Sequence, residues 1–323
     1  MMVNKNEIRS MLFITLSNLG DIILTTPVLE RLHDEFPSAE VDVITGAPGR
    51  DIFEKHPAVR QVTVQQKHRD LGERLRQVGR IRSKRYDIVV DLKNSLIPLL
   101  AGAKYHSFFS GGSGRAPLHK RDEHLWKLSV LGIDPFLDNR FFLPVTDSER
   151  QYVDSLIDPD WKRVVVISPG AKSHLKRWDA RKYARLADRI ISDLMCRVLI
   201  TGNEDDTETV TDVVSHATTS VKDLCGKTSI GALAELMRRS DLVISNDSAP
   251  LHIASAVNAA TIAIFGPSDE RRYGPLSDKS RVIKPEVPCR PCEAALCRRG
   301  AEAGCITDIS VDKVLEEVKK LLY

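Results

Sequence analysis

The sequence lacks any long apolar run. Its first apolar stretch, Met11 to Leu16, is soon followed by Asn18 and Asp21, whereas a membrane helix needs about 20 consecutive, mostly apolar residues. The same stretch is too short for the apolar segment of a secretory signal peptide. We therefore expect neither a membrane helix nor a signal peptide. We predict a cytoplasmic location, and peripheral contact with the inner face of the cytoplasmic membrane stays open.

The net charge is also small. The 323 residues include 47 Lys and Arg against 44 Asp and Glu, which gives a formal net charge of +3. A dedicated nucleic-acid binder would carry a large basic excess, so we expect no nucleic-acid partner. We find no short internal repeat and no low-complexity segment, and 42% hydrophobic residues suffice for the cores of two ordinary domains.

The order of apolar runs predicts an α/β protein. Strand-length apolar runs alternate with helical patterns, which is typical of a parallel sheet covered on both faces. The alternation lapses over residues 141–162, so we predict two doubly wound, Rossmann-like domains, 1–155 and 156–323, facing a central cleft. A last helix, 311–322, would pack back on the first domain. The predicted strands are 11–17, 41–45, 62–64, 87–92, 164–168, 197–201, 221–224, 242–245 and 261–265.

A loop after the strand 164–168 has the composition of a pyrophosphate site. Gly170, followed by Ala171, would let the backbone approach a ligand, and Lys172, Lys176 and Arg177 would supply positive charge. Lys172 has the alternative of a solvated surface lysine. Lys176 is the stronger candidate because it lies just before Trp178, which we expect to anchor the end of the loop.

A second loop, Gly202-Asn203-Glu204, follows the strand 197–201. The carboxylate of Glu204 has the position that commonly accepts hydrogen bonds from ribose hydroxyls in doubly wound folds. Capping of the next helix by Asn203, or an acidic first helical turn, explains the same residues equally well.

A third loop begins at Asp247, after the strand 242–245. Ser248 is predicted to be a helix N-cap with Pro250 in the first turn, so that the helix N-terminus would face a phosphate. His252, one turn inside, would reach the same anion. A core or capping histidine is the alternative.

In the first half, Asp21 follows the first predicted strand, and its carboxylate could take a proton from an attacking hydroxyl. Its alternative is a helix N-cap. Between Lys67 and Arg85 an amphipathic helix is predicted, with apolar positions at 71, 75, 78 and 81 and a basic face that includes Arg76, Arg80 and Lys84. That face would dock anionic lipid headgroups or a phosphorylated acceptor, or would simply be solvated. The glycine-rich stretch 110–118 fails as a dinucleotide fingerprint because Pro117 replaces its last glycine.

Four of the six cysteines cluster near the end of the chain: Cys289, Cys292, Cys297 and Cys305. Such a group can bind zinc in a reducing compartment. Its spacing matches no common zinc module, so free thiols are the alternative, and no metal or cofactor is assigned.

Five motifs occur together in one order. They are Leu19-Gly20-Asp21, Pro169-Gly170-Ala171 leading to Lys176-Arg177-Trp178, Gly226-Lys227-Thr228, Asn246 to His252, and Phe265-Gly266-Pro267-Ser268-Asp269. In this order the sequence resembles glycosyltransferase family 9, the lipopolysaccharide heptosyltransferases, over nearly the whole chain. One departure is Ala249, where the family usually has Gly; its methyl group is tolerated if the local φ is negative.

The resemblance implies a GT-B fold, an ADP-heptose donor bound by the second domain, a lipid-linked saccharide of the inner core bound by the first, and inversion without an obligatory metal. It implies that Asp21 is the base, that Lys176 neutralises the leaving diphosphate and that Glu204 holds the ribose. Asp247 would bind sugar hydroxyls, while Ser248, the amides after it and His252 would contact the donor phosphates. Two other functions stay open: an epimerase or a transferase that uses another nucleotide sugar, and a two-domain binding protein without catalysis.

Overall fold

The computed structural model describes residue 3 and residues 7–65, 71–107, 119–137, 140–292, 297 and 304–323. The glycine-rich stretch 110–118 and the start of the predicted basic helix, 67–70, lie outside these ranges. The described chain divides into two compact units, residues 1–144 and 145–323.

The first unit is built on five parallel strands in the order β3-β2-β1-β4-β5. The strands are β1 (Ser10–Ile14), β2 (Glu40–Thr45), β3 (Val59–Val64), β4 (Ile88–Asp91) and β5 (Tyr105–His106). The helices are α1 (Leu19–Glu35), α2 (Arg50–Phe53), α3 (Leu71–Ser83), α4 (Ile97–Leu100) and α5 (Lys120–Trp126).

The second unit has six parallel strands in the order β11-β10-β9-β6-β7-β8. The strands are β6 (Val164–Ser168), β7 (Arg197–Ile200), β8 (Lys222–Asp223), β9 (Leu242–Asn246), β10 (Thr261–Ile264) and β11 (Ser280–Ile283). The helices are α6 (Asp147–Leu156), α7 (Ala180–Leu194), α8 (Thr207–His216), α9 (Ile230–Arg239), α10 (Ala249–Ala256), α11 (Glu270–Tyr273) and α12 (Val311–Leu322).

Both sheets reverse their strand order at one point. In the first sheet the reversal lies between β1 and β4, and in the second it lies between β6 and β9. The crossovers on either side of a reversal leave toward opposite faces, so a crevice opens at the carboxyl ends of those two strands, where doubly wound proteins bind ligands. The fold therefore singles out the loops after β1, β4, β6 and β9.

All nine predicted strands are present within a few residues, and the two that were missed are edge strands. β5 has two residues, and β11 has the sequence SRVI with only Ile283 buried. An edge strand is buried on few sides, so its sequence lacks the continuous apolar run that marks a central parallel strand.

Residues 145–155, predicted to belong to the first domain, lie in the second unit. Thr146 and Glu149 form a capping box at the start of α6, and the Glu149 carboxylate also accepts a hydrogen bond from Ser229 Oγ at 2.6 Å. Ser229 in turn is the N-cap of α9. These bonds join α6 to the second unit. The last helix, α12, packs on α7 and on the strands β9 and β10 of that same unit.

In the described ranges, no helix combines the length and the apolar composition that a membrane crossing requires.

Candidate active site

Asn246, the last residue of β9, joins the two loops at the strand reversal of the second sheet. Its side-chain amide donates to Pro169 O at 2.6 Å, and its Oδ1 accepts from Trp178 N at 3.2 Å and from the Tyr183 hydroxyl at 2.9 Å. All of these groups are buried. The loop from Pro169 to Trp178 is therefore held at both ends, and the predicted anchoring by Trp178 is confirmed.

Lys176 forms an ion pair in this crevice with the first residue after β9. Its Nζ donates to Asp247 Oδ2 at 2.6 Å and lies 5.8 Å from the centroid of the Tyr273 ring. The Asp247 side chain is 4% exposed, whereas that of Lys176 is 32% exposed. The buried carboxylate thus holds a cation at the open side of the crevice, where an anionic ligand can meet it.

The N-terminus of α10 lies beside this pair. Ser248 is the N-cap, as predicted, and Pro250 occupies the first turn. Within the described chain, Ser248 Oγ is buried and has no hydrogen-bond partner, and it caps no amide of its own helix. Ala249 is the first residue of α10 and is not among the positive-φ residues, so its methyl group causes no backbone strain. His252 lies one turn further and is buried.

The loop after β7 shows the helix capping that was predicted as the alternative to ribose binding. Asn203 and Asp206 form a capping box, with Asp206 N donating to Asn203 Oδ1 and Asn203 N donating to Asp206 Oδ2, both at 3.1 Å. Glu204 is exposed at the start of this turn. A Cβ on Gly170 would lie 2.1 Å from Asp206 Oδ1, and one on Gly202 would lie 2.9 Å from Asp206 Cβ. A side chain at either position would therefore displace Asp206 from this packing.

Sequence reasoning missed Arg290, which supports the loop after β10. Its guanidinium is 6% exposed and donates to the carbonyl oxygens of Gly266 and Ser268 and to the Glu270 carboxylate. A Cβ on Gly266 would lie 2.7 Å from Leu175 O. The loop after β10 therefore packs against the backbone of Leu175, the residue before Lys176. The only feature of the sequence that could have indicated Arg290 is its position within the cysteine cluster, between Cys289 and Cys292.

Asp21 lies in the first unit, in the first turn of α1, the helix that follows β1. The N-cap of this helix is Asn18, so the alternative role of Asp21 as N-cap is not observed. Asn18 Nδ2 donates to Asp21 Oδ2 at 3.0 Å, and the Asp21 side chain is half-buried. The carboxylate therefore lies beyond the carboxyl end of β1, partly accessible to solvent and oriented by Asn18.

The predicted basic helix is α3, but its faces differ from the prediction in two ways. Leu75, assigned to the apolar face, is 63% exposed, while Gln77 is buried. Arg76 and Arg80 are exposed, but Lys84 lies beyond the end of α3 and forms an ion pair with Asp42 at 2.7 Å. Its charge is thus neutralised within the protein, and the basic face is smaller than the sequence indicated.

The clustered cysteines carry no disulfide. Across the described residues, no group of three or more His, Cys, Asp or Glu side chains is arranged to hold a metal ion. Cys289 and Cys292 are exposed, and Cys305 is buried. Burial raises the pKa of the Cys305 thiol, and the neighbouring Cys289, Cys292 and Cys297 add to this effect against the influence of Arg290.

The profile of glycosyltransferase family 9 (heptosyltransferase) matches residues 140–302, which is half of the chain. Lipopolysaccharide heptosyltransferase 2 of Escherichia coli K12 is 27% identical over 337 residues, covering 94% of this chain and 96% of that protein.

Two solved structures are similar over nearly the full length. A family 9 glycosyl transferase from Veillonella parvula has a TM-score of 0.83 at 24% identity and covers 100% of this chain and 98% of its own. The Escherichia coli ADP-heptose lipopolysaccharide heptosyltransferase II has a TM-score of 0.76 at 25% identity, with coverages of 97% and 98%. The predicted GT-B fold, with two parallel α/β domains, is confirmed.

Proposed function

Because the chain belongs to glycosyltransferase family 9, we propose that it transfers a heptose from ADP-heptose to a sugar of the lipopolysaccharide inner core. The similar Escherichia coli enzyme is named for this donor and this class of product. We assign the donor to the second unit and the lipid-linked acceptor to the first. The cytoplasmic location and a peripheral contact with the membrane stay predictions.

The observation that carries the donor assignment is the ion pair of Lys176 and Asp247 beside the N-terminus of α10. A departing ADP gains negative charge on its diphosphate. A lysine and a helix N-terminus in a preorganised crevice stabilise such charge without reorganisation at the moment of reaction. Ser248 Oγ, buried and unpartnered in the described chain, offers a further donor to a phosphate oxygen.

The remaining donor contacts follow from position. Glu204 is exposed in the turn after β7, the strand beside β6, where its carboxylate would accept hydrogen bonds from ribose hydroxyls. Asp247 would accept from heptose hydroxyls with the oxygen not engaged by Lys176. His252, in α10, would contact the donor phosphates, and Gly170, Ala171 and Lys172 would line the pyrophosphate side.

In the proposed reaction an acceptor hydroxyl attacks the anomeric carbon of the heptose. The Asp21 carboxylate takes the hydroxyl proton, the new carbon–oxygen bond forms, and the bond from the anomeric carbon to the diphosphate breaks with its electron pair leaving on ADP. A single displacement of this kind inverts the anomeric configuration. Positioned general bases contribute about 10²- to 10⁴-fold to such steps.

The test is a transfer assay with ADP-heptose and a set of truncated core saccharides. Asp21→Asn should lower kcat by about 10²- to 10⁴-fold while ADP affinity is unchanged. Asp51→Asn is the matched control, since Asp51 is an exposed acid in the first turn of α2. Unchanged transfer by Asp21→Asn would refute the general-base role of Asp21. A product with retained anomeric configuration would refute the single displacement. Faster transfer from a UDP- or GDP-sugar would refute ADP-heptose as the donor.

A further inference from the structure

A group of exposed leucines lies on α4 of the first unit. Within five positions, Leu96 is 62% exposed, Leu99 45% and Leu100 47%; Leu96 is the N-cap of α4, and the other two belong to the helix. In the described ranges, the second unit exposes only Met195 and Tyr323 among its large apolar side chains. A single exposed apolar residue is ordinary, but a group of them marks an interaction surface.

The helix α3 lies beside α4 on the same face of the first sheet. The two helices contact each other. Ile81 of α3 and Ala101, the C-cap of α4, belong to one core with Leu12 and Ile14 of β1. Since both helices pack on one face of the sheet, their exposed sides face away from it together and belong to one surface.

The exposed side of α3 is basic and carries a further leucine. Gln77 and Ile81 are buried toward the sheet, whereas Leu75, Arg76 and Arg80 are exposed. Across the described residues, neither arginine forms an ion pair within the protein. The surface thus places exposed leucines next to guanidinium groups that no carboxylate neutralises.

Few carboxylates oppose this positive charge. Residues 71–107 contain eight lysines and arginines against the three acids Glu73, Asp87 and Asp91. Asp91 is buried, and Asp87 accepts a hydrogen bond from Ser10 N at 3.0 Å, so that of the three only Glu73, in the first turn of α3, lies on the helix with the arginines. The surface of α3 and α4 is therefore suited to an anionic partner.

Apolar and basic groups side by side match a bilayer of anionic phospholipids. Such a bilayer presents negatively charged phosphates directly above apolar acyl chains, and a surface binds it through buried apolar area together with electrostatic attraction. Arginine can reach the phosphates while its apolar stem lies along the leucines.

We propose that α3 and α4 form a surface that binds an anionic phospholipid bilayer. Leu96, Leu99 and Leu100 enter the boundary between headgroups and acyl chains, and Arg76 and Arg80 bind headgroup phosphates. The need to reach a bilayer rests on the proposed function, whose acceptor is lipid-linked. The surface itself follows from the exposed leucines and the unpaired arginines.

Vesicle sedimentation without donor or acceptor tests the arginines. Wild type should bind vesicles of phosphatidylethanolamine and phosphatidylglycerol more tightly than vesicles of phosphatidylcholine. Each basic residue near an anionic surface strengthens binding about fivefold, so Arg76→Gln/Arg80→Gln should weaken it about 30-fold. The matched control is Arg181→Gln/Arg185→Gln, which removes two exposed arginines with the same spacing from α7. It should bind like wild type.

The double variant Leu96→Ser/Leu100→Ser tests the apolar part of the surface. Together the two side chains expose about as much area as one full leucine, whose burial strengthens binding about 10- to 100-fold. The variant should lose this factor at high salt as well, because apolar burial is not screened, whereas the effect of the arginines should fade. Met195→Ser, at a residue that is 76% exposed in the second unit, is the control and should bind like wild type.

Transfer assays connect the surface with the reaction. Leu96→Ser/Leu100→Ser should raise KM for a lipid-linked acceptor in anionic vesicles, while kcat and KM for a soluble truncated saccharide match wild type. A variant equally impaired with both acceptors would show that the leucines act within the catalytic site, and the proposal would be wrong.

The remaining outcomes separate the surface from other partners and from the proposed function. If ultracentrifugation shows a wild-type dimer and a monomeric leucine variant with unchanged vesicle binding, the surface joins two copies of the chain and the proposal is wrong. It is also wrong if the arginine variant binds vesicles normally but has a raised KM for a soluble phosphorylated saccharide. Equal vesicle binding by wild type and both surface variants overturns it even if heptose transfer is confirmed. Loss of binding in both surface variants, but not in the controls, supports it even if ADP-heptose proves to be the wrong donor.

Discussion

Replacement of Lys176 by Met tests the donor site most directly, because it changes activity and stability by different mechanisms. The ammonium is the cation that we assign to the departing diphosphate, and removal of one preorganised donor of this kind costs about 3 to 4 kcal/mol of barrier. We therefore expect kcat to fall about 10²- to 10³-fold. The same substitution leaves the Asp247 carboxylate, 4% exposed, without its partner.

The stability effect is smaller than for a fully buried pair. Breaking such a pair costs about 3 to 5 kcal/mol, but Lys176 is 32% exposed, so solvent screens part of the interaction and about 1 to 2 kcal/mol is expected. In a unit of this size that lowers Tm by about 2 to 8 °C.

The double variant Lys176→Met/Asp247→Asn separates the two effects. Removing the unpaired charge should restore Tm, while kcat stays low because no cation faces the diphosphate. Lys162→Met, at an exposed residue before the amino end of β6, is the control and should match wild type. Steady-state kinetics and thermal unfolding measure both quantities. A double variant with wild-type kcat would show that Lys176 only neutralises Asp247, and the reasoning would be refuted.

Three further predictions follow from the structure. Asn246→Ala leaves Trp178 N, the Tyr183 hydroxyl and Pro169 O without their buried partner. Each such group costs about 1 to 3 kcal/mol, so urea unfolding should show a free energy of unfolding lower by at least about 3 kcal/mol. A smaller loss would mean that other contacts hold the loop. Burial raises the pKa of Asp42, but hydrogen bonds from Arg60, Lys84 and Tyr86 outweigh it and leave this pKa below 3.8. The stability that ionised Asp42 contributes is thus present above pH 3.8 and is lost as the pH falls through the pKa of Asp42 in the folded protein. The difference in unfolding free energy between wild type and Asp42→Asn should therefore shrink below pH 3.8. A difference that stays constant with pH contradicts this prediction. Exposed Cys289 and Cys292 should react with a thiol reagent much faster than buried Cys196 and Cys305, and elemental analysis should find no stoichiometric metal; one zinc per chain would overturn the free-thiol assignment.

Local sequence pattern was sufficient to predict the central strands of the second sheet, because these strands are buried on both faces. The apolar runs VVVI in β6 and LVI in β9 predict buried strands without any knowledge of the neighbouring strands. Turn chemistry is equally local, so Ser248 as N-cap with Pro250 in the first turn was predicted correctly. The motif order also identified the family, since each motif follows a strand of the sheet.

Contacts between residues far apart in the chain could not be predicted from sequence patterns. Leu75 follows the helical period but is exposed, because periodicity shows which residues share a face and not what covers that face. Lys84 was assigned to a surface by its spacing, yet its charge is paired with Asp42, which lies 42 residues earlier. Gly170 suggested room for a ligand, and the structure places the Asp206 carboxylate against it.

The sequence by itself determined the fold class, the family and the loops that carry the site, because these depend on burial patterns and turn residues that act over a few positions. Only the tertiary structure decided which side chains meet: Lys176 with Asp247, Asn246 with the ends of the lysine loop, Arg290 beneath Gly266, and Lys93 with Gln65. These pairs depend on strand order. The carboxyl ends of β1 and β4, or of β6 and β9, lie side by side only after the sheet has formed, and no local pattern records which strands become neighbours.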